Sequence, residues 1–212
     1  MMTQDEAEMF AYREILLTVD VPSGIAERLG KIAAALAKVS DPAHIDAFWI
    51  PPELMHVTLL HLGRVREDLV DVIQTRVNET LRTVAPFTCS VGRLDPNGNP
   101  EAEDPEQAPG ALWAMVEDPD GVLSELHDKV AEALEDLGVQ HHSAGPFVPH
   151  IPVALFAKFR NTREFGSVML EHTSENLGEL PVRELVVLEN RAADGQRDQP
   201  FRPLKRLELA GG

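Results

Sequence analysis

The chain has 212 residues, and because 43% of them are hydrophobic it can bury the core of one sizeable domain. Its 35 Asp and Glu residues outnumber its 19 Lys and Arg residues, which gives a formal net charge of -16 at pH 7. This excess of acid excludes a broadly basic protein that coats nucleic acid duplexes, so a polyanionic substrate has to bind at a local basic pocket. The single cysteine, Cys89, excludes an intramolecular disulfide and a multi-cysteine zinc site.

The N-terminal segment lacks the features of a secretory signal. Acidic residues stand where lysine or arginine is expected, and Arg13 and Glu14 interrupt the apolar run. No apolar stretch approaches the roughly 18 to 20 residues that span a bilayer, and neither end carries a lipidation motif. We therefore expect a soluble, cytoplasmic protein with no membrane partner.

The first half of the chain alternates predicted strands and helices. Aliphatic and β-branched residues predict strands at residues 15–21, 55–62 and 87–94, and Gly63 is expected to end the second of them. Apolar residues recur at three- and four-residue spacings from Ser23 to Lys38, which predicts a helix with one buried face. A second helix is predicted at residues 69–81.

Residues 95–110 stand out by composition. These sixteen residues hold four prolines, two glycines and five acids, so they bury too little apolar surface to order themselves. Strand character resumes at residues 111–116, and a sheet hairpin tolerates a long insertion at modest entropic cost. We predict a flexible acidic loop inserted into a single domain of residues 1–212, either gating a cleft or serving no function.

The second half repeats the order of elements found in the first. A helix is predicted at residues 120–137, then a proline-marked loop and a strand from His150 to about residue 156, with further strands at residues 182–188 and 204–209. Strand, helix, proline-marked loop and histidine-bearing strand thus occur twice. His56 and His150 lie 94 residues apart in equivalent places. This pattern suggests a duplicated unit with a site between its copies.

The strand that begins near His56 carries the first candidate chemistry. Side chains alternate along a strand, so His56 and Thr58 share a face, whereas His61, five residues beyond His56, is expected on the opposite face with a structural role. An imidazole that titrates near neutrality can move protons, and a hydroxyl beside it can bind a phosphate oxygen. A second histidine facing the first would complete metal-free acid and base catalysis.

Three stretches, WIPPELMHVTLLHLG, PFTCSVGRL and FVPHIPVAL, carry a resemblance to a known family. They resemble the two-histidine (2H) phosphoesterases, which are marked by a pair of His-x-Thr/Ser-x motifs. The likeness is greatest to the bacterial RNA 2′,3′-cyclic phosphodiesterases of the 2′-5′ RNA ligase family. The first motif, HVTL from His56, matches the family pattern in full, whereas the second, HIPV from His150, has Pro152 in place of Thr or Ser.

Pro152 has a chemical consequence, because proline offers neither a hydroxyl nor a backbone N–H to hold a phosphate oxygen. Losing one such donor costs about 10² to 10³ in rate in other enzymes. Relatives often carry an arginine shortly after the second motif, where this chain has Leu155 and where Lys158 or Arg160 is the nearest cation. The site is expected to be slow, to use a substitute donor, or to bind without catalysis.

The resemblance implies an α+β fold: a bilobal duplicated unit of two antiparallel sheets backed by helices, with a central cleft. It implies that His56 protonates the leaving ribose oxygen, that His150 activates water and that Thr58 binds phosphate, although the residues themselves leave the reverse order of the histidines open. The implied reaction opens 2′,3′-cyclic phosphates of RNA ends or nucleotides to 2′-phosphomonoesters without metal or cofactor. RNA termini or small cyclic nucleotides are the implied partners.

Two alternatives remain open from the residues. The protein is a nucleotide or RNA-end binding protein with weakened or lost catalysis because of Pro152, or it hydrolyses 2′-5′-linked or cyclic oligonucleotides. His141 and His142 invite a metal site, but a solvated loop is favoured because no carboxylates lie at ligand spacing. Arg64 and Arg66 either reach a phosphate or are merely solvated. Four aromatic residues either stack on a base or belong to the core, and they are Trp49, Trp113, Phe147 and Phe156.

Overall fold

A computed structural model describes residues 11–100, 107–139, 146–172, 175–192 and 200–211. The strands in these ranges are β1 (Tyr12–Asp20), β2 (Asp46–Trp49), β3 (His56–Arg66), β4 (Phe87–Asn97), β5 (Ala111–Glu117), β6 (His150–Lys158), β7 (Gly178–Val182), β8 (Glu184–Asn190) and β9 (Phe201–Glu208). The helices are α1 (Ser23–Val39), α2 (Glu67–Leu81), α3 (Val122–Leu134) and α4 (Arg163–His172), with short 3-10 turns at Pro52–Leu54 and Glu135–Leu137.

The strands form two antiparallel sheets. The first has the order β3-β1-β8-β9 and the second the order β2-β6-β5-β4-β7. This arrangement confirms the predicted α+β fold with two antiparallel sheets. The order β3-β1-β8-β9 of the first sheet corresponds to the order β6-β5-β4-β7 of the second. In each sheet the first strand of this order begins at a histidine. It pairs with the strand that leads, along the chain, into the helix before that histidine. The two halves of the chain also exchange strands, since β2 and β4 lie in the second sheet and β8 and β9 in the first.

One apolar core connects the helices to the inner faces of both sheets. Helix α1 contributes a buried stripe at the spacing predicted for it, formed by Ile25, Leu29, Ile32 and Leu36. The same core contains residues of β3 and β6, and these two strands contact each other where the sheets meet. Packing therefore fixes the relative position of the strands that begin at His56 and His150. In the described ranges, no helix combines the length and the apolar character needed to cross a membrane.

The prediction that Gly63 ends its strand is wrong, because β3 continues to Arg66. Gly63 has a φ of 64°, in the left-handed region that glycine adopts without steric cost. The pairing of β1 with β3 shifts register twice, between residues 15 and 16 and between residues 17 and 18 of β1. A glycine in this conformation suits a β-bulge as well as a turn, and here it lies at the first of these shifts.

The second of these shifts, between residues 17 and 18 of β1, overturns the expectation that His61 faces away from His56. Their partners on β1 are Leu16 and Asp20, which lie four residues apart and therefore on one face of the sheet. His61 returns to the face of His56 because β3 has one more residue than β1 over this stretch. Its Nε2 atom lies 3.2 Å from Oε1 of Glu14, which is also on that face of β1.

Strand β4 also extends beyond its predicted end. Residues 95–97, expected in the acidic loop, pair with residues 111–113 of β5. The loop predicted for residues 95–110 therefore begins at Gly98, and residues 101–106 lie outside the described ranges. The predicted strand at residues 182–188 corresponds to β8, except that its first residue, Val182, is the last residue of β7 in the other sheet. Neither β7 nor helix α4 is anticipated from the sequence pattern.

Candidate active site

His56 begins β3 and is held by the turn that precedes it. Its Nδ1 atom lies 2.9 Å from the carbonyl oxygen of Leu54. A carbonyl oxygen only accepts, so this contact places the ring proton on Nδ1 and leaves Nε2 as the nitrogen that can exchange protons. The side chain is 8% exposed. Burial lowers the pKa of His56, and the contact with Leu54 and the nearby charge of Asp20 oppose that shift only in part.

Asp20 lies directly opposite His56 on the neighbouring strand β1. Its carboxylate also forms an ion pair with Arg206 of β9, at 2.8 Å. Arg206 is engaged by a second carboxylate, that of Glu184, and these hydrogen bonds raise its pKa. A charged network therefore runs from β1 through β8 to β9 beside the imidazole of His56.

The ring of Phe201 packs against His56 edge to face, with centroids 5.0 Å apart and planes at 86°. The two residues belong to β9 and β3, which are opposite edges of the first sheet. Their contact requires that the sheet coil strongly, as twisted sheets do. Between them, on the same face, lies a small apolar cluster formed by Leu16, Val186 and Leu188.

His56 opens onto a groove with a volume of about 520 Å³. Val186, Leu188 and Phe201 line one part of this groove, and Asp20 and Arg206 line another. His150 is not among the described residues that line it. Thr58 is half-buried on the face of His56 and lies opposite Thr18.

His150 repeats the local geometry of His56 at the start of β6. Its Nδ1 atom lies 2.7 Å from the carbonyl oxygen of Val148, two residues earlier, so Nε2 is again the nitrogen that can exchange protons. The imidazole is stacked on the indole of Trp113, with centroids 3.9 Å apart and planes inclined by 22°. Burial lowers the pKa of His150 as well, more than the contact with Val148 raises it.

The second motif presents an apolar surface where the first is polar. Pro152 lies opposite Trp113, at a register shift in the pairing of β5 with β6. Leu155, which stands where the resemblance expects an arginine, is 49% exposed and lies opposite Phe48, which is 60% exposed. Lys158 donates to the backbone carbonyl of Ala43. The surroundings of His150 therefore offer fewer donors for an anion than the surroundings of His56.

Several residues beside the histidines were not assigned from the sequence. The sequence leaves Trp113 open between a stacking role and the core, and the structure places it against His150. Asp20, Phe201 and Arg206 carry no motif, and they reach the site only because β1 and β9 belong to the same sheet as β3. For these three residues no sequence signal was available, because strand order determines their position.

In the parts of the chain that the structure describes, no three His, Cys, Asp or Glu residues are grouped as metal ligands. His141 and His142, which in the sequence invite a metal site but are more typical of a solvated loop, lie outside the described residues.

Comparison with known proteins places this arrangement in a family. The family model described as the 2′-5′ RNA ligase superfamily matches residues 21–193, which is most of the chain. This chain belongs to the 2′-5′ RNA ligase superfamily. Membership confirms the resemblance found in the sequence, and with the relatives described next it confirms that the chain is an enzyme of the two-histidine phosphoesterase class.

Two relatives of this superfamily member come from archaea. An RNA 2′,3′-cyclic phosphodiesterase of Archaeoglobus fulgidus is 29% identical over 170 residues, covering 80% of this chain and 86% of that protein. A protein of the same name from Methanothermobacter thermautotrophicus is 25% identical over 169 residues, covering 80% of this chain and 85% of the relative.

Solved structures show that the superfamily fold extends over nearly the whole chain. The structure of TT0787 of Thermus thermophilus has a TM-score of 0.70 at 19% identity and covers 93% of this chain and 98% of its own. The structure of E. coli LigT complexed with 3′-AMP has a TM-score of 0.68 at 18% identity and covers 94% of this chain and 99% of its own. At these identities the likeness establishes the fold.

Proposed function

We propose that this protein is a metal-independent phosphodiesterase that opens 2′,3′-cyclic phosphates of RNA ends or nucleotides to 2′-phosphomonoesters. One observation carries the proposal. Two histidines begin two contacting strands, and each is fixed through Nδ1 on the carbonyl two residues before it. Two relatives bear the name of this activity.

The reaction adds one water molecule across the P–O3′ bond. A neutral imidazole takes a proton from water as the water oxygen attacks phosphorus. The P–O3′ bond breaks, and a protonated imidazole donates its proton to the departing ribose O3′. The product keeps the phosphate on the 2′ oxygen, and the two histidines exchange protonation states before the next turnover.

The roles of the two histidines differ in their charged surroundings. The carboxylate of Asp20, opposite His56, favours the imidazolium form and so supports His56 as the proton donor. His150 lies against the neutral indole of Trp113, which supports it as the base that activates water. Thr58 is proposed to donate its hydroxyl to a non-bridging phosphate oxygen, because it shares the face of His56.

The apolar second motif favours one alternative, a protein that binds nucleotide or RNA ends with weakened or lost catalysis. Pro152 supplies no hydroxyl and Leu155 no charge, so the phosphate has fewer donors on this side. Binding of a 2′,3′-cyclic nucleotide without turnover at high enzyme concentration supports this alternative, and efficient hydrolysis by the wild-type protein removes it.

The proposal is tested by incubating 2′,3′-cyclic AMP with the protein in EDTA and separating 2′-AMP from 3′-AMP. We expect 2′-AMP to accumulate, and His56→Ala or His150→Ala to lower the rate by about 10² to 10⁴. His44→Ala is the matched control, because His44 is half-exposed, pairs with Asp41 and does not line the groove of His56. Turnover that survives both active-site substitutions, or that requires an added metal, contradicts the proposal.

A further inference from the structure

The two bulges of β3 align polar side chains on one face of the first sheet. The residues opposite β1 on this face are His56, Thr58, His61 and Arg64. Simple alternation along β3 would turn His61 away, so the alignment is a product of the bulges. A strip of polar residues therefore continues from the candidate active site along β3.

Arg64 is the exposed cation at the far end of this strip. Its guanidinium lies over the ring of Tyr12, 5.1 Å from the centroid, and in the described part of the chain it has this contact and no ion pair. In a chain with net charge -16, other arginines of this sheet are neutralised; Arg66, for example, bonds to Asp68. Arg64 therefore retains a charge available to an anion.

Glu14, the residue opposite Arg64, is the carboxylate nearest to it in the sheet register. Its Oε1 atom accepts hydrogen bonds from Asn190 at 3.2 Å and contacts Nε2 of His61 at 3.2 Å. These contacts draw the carboxylate toward β8 and His61, and Arg64 is held by Tyr12 instead. An aromatic ring beneath a guanidinium also restrains the side chain without neutralising it.

The strip is long compared with a nucleotide. From Asp20, opposite His56, to Glu14, opposite Arg64, β1 advances six residues, which is about 20 Å at 3.3 Å per residue. A single nucleotide bound at His56 does not reach Arg64. A chain of nucleotides does, and its backbone phosphates carry the charge that a guanidinium binds most readily.

We infer that Arg64, supported by Tyr12, binds a backbone phosphate of RNA upstream of the terminal cyclic phosphate, so that the preferred substrate is an RNA 3′ end rather than a free nucleotide. This inference rests on the proposed function, because the strip begins at His56. It assigns to the strip of polar residues along β3 a partner of opposite charge that extends from the candidate active site.

The test compares two substrates, 2′,3′-cyclic AMP and a short oligoribonucleotide that ends in a 2′,3′-cyclic phosphate. We expect Arg64→Ala to lower kcat/KM for the oligonucleotide by about tenfold and to leave kcat/KM for cyclic AMP within about twofold. The dependence of log kcat/KM on log salt should weaken by about 0.7 for the oligonucleotide, the value for one phosphate contact on a single strand.

Arg82→Ala is the matched control. Arg82 is an exposed arginine at the C-terminal end of α2, which packs on the opposite, core-facing side of this sheet, so its loss changes net charge equally. Equal loss on both substrates in Arg64→Ala, or the same loss in Arg82→Ala, overturns the inference. Absence of turnover on both substrates contradicts the proposed function instead. Oligonucleotide binding measured by fluorescence anisotropy then tests Arg64 directly, and unchanged affinity in Arg64→Ala overturns its assignment.

Discussion

His150 lies face to face with Trp113, with ring centroids 3.9 Å apart and planes inclined by 22°. The stack restrains the plane of the imidazole, and the hydrogen bond from Nδ1 to Val148 restrains its rotation. Trp113 also differs from the other aromatic residues that the sequence left unassigned. Those residues pack against the main core, and they are Trp49, Phe147 and Phe156.

We expect Trp113→Leu to lower kcat by about tenfold and to change KM little, because a misplaced proton-transfer group costs rate rather than binding. Trp113→Phe keeps a ring beneath the imidazole and should retain most of the activity. Trp49→Leu removes an indole that packs on the core and serves as the control for a loss of stability. If Trp113→Phe is as slow as Trp113→Leu, the ring does not position His150.

The pH dependence of kcat/KM follows from the burial of both histidines. Burial lowers the pKa of His56 and of His150 from the ordinary value of about 6.5. Catalysis needs one imidazole neutral and the other charged, and this state is most populated between the two pKa values. We therefore expect a bell-shaped profile of kcat/KM with its maximum below about pH 6.5. A maximum on the alkaline side of neutrality would contradict this assignment.

The profile of kcat should lie at higher pH than that of kcat/KM. A bound phosphate anion stabilises the imidazolium, so the substrate raises the pKa of the proton donor in the complex. The measurement is a pair of profiles, one at saturating and one at limiting substrate. Coincident profiles would show that the phosphate does not contact the charged imidazole.

The elements with regular apolar spacing could be predicted from the sequence. Helix α1, expected from Ser23 to Lys38, spans Ser23–Val39, and the strand of the second motif begins at His150 as expected. The predictions that are wrong concern β3, β4 and the boundary between β7 and β8. At Gly63 and at residues 95–97 the pairing with a distant strand overrides the local turn signal.

The residues of the candidate site likewise divide into those that a local sequence pattern identifies and those that only the strand order brings together. His56, Thr58 and His150 belong to motifs that local sequence identifies. Asp20 and Phe201 reach His56 through the order of strands in a coiled sheet, which no local pattern encodes. Simple alternation along β3 predicts that His61 faces away from His56, whereas the bulge between them places both side chains on one face.

Gly63 supplies a test of the bulge that aligns the polar strip. An alanine at a φ of 64° costs about 1–2 kcal/mol relative to glycine, so Gly63→Ala should lower the free energy of unfolding by about that amount. Gly24→Ala is the control, because Gly24 lies in α1 and a Cβ added there meets no atom within 4 Å. Urea denaturation measures both variants. Equal stability of the two variants would show that the bulge does not require glycine.

Pro152 is the position at which the second motif departs from the family pattern, which has Thr or Ser there. A matched pair of substitutions tests its effect. Pro152→Thr introduces a hydroxyl that can donate a hydrogen bond to a phosphate oxygen. Pro152→Val introduces a side chain of the same shape without the hydroxyl. Both variants restore a backbone N–H at the register shift beside Trp113, so they share any effect on β6. Only the hydroxyl distinguishes them.

If the missing hydroxyl limits the rate, Pro152→Thr should raise kcat/KM for 2′,3′-cyclic AMP by about tenfold to a hundredfold over Pro152→Val, somewhat less than the loss of a fully buried oxyanion donor. The measurement is initial rates of 2′-AMP formation at limiting substrate, with thermal unfolding followed in parallel. Equal rates in the Thr, Val and wild-type proteins would mean that another donor already holds the phosphate. Turnover that appears only in Pro152→Thr would show that the wild-type site binds the cyclic phosphate and that the absence of this one hydroxyl keeps it from reacting.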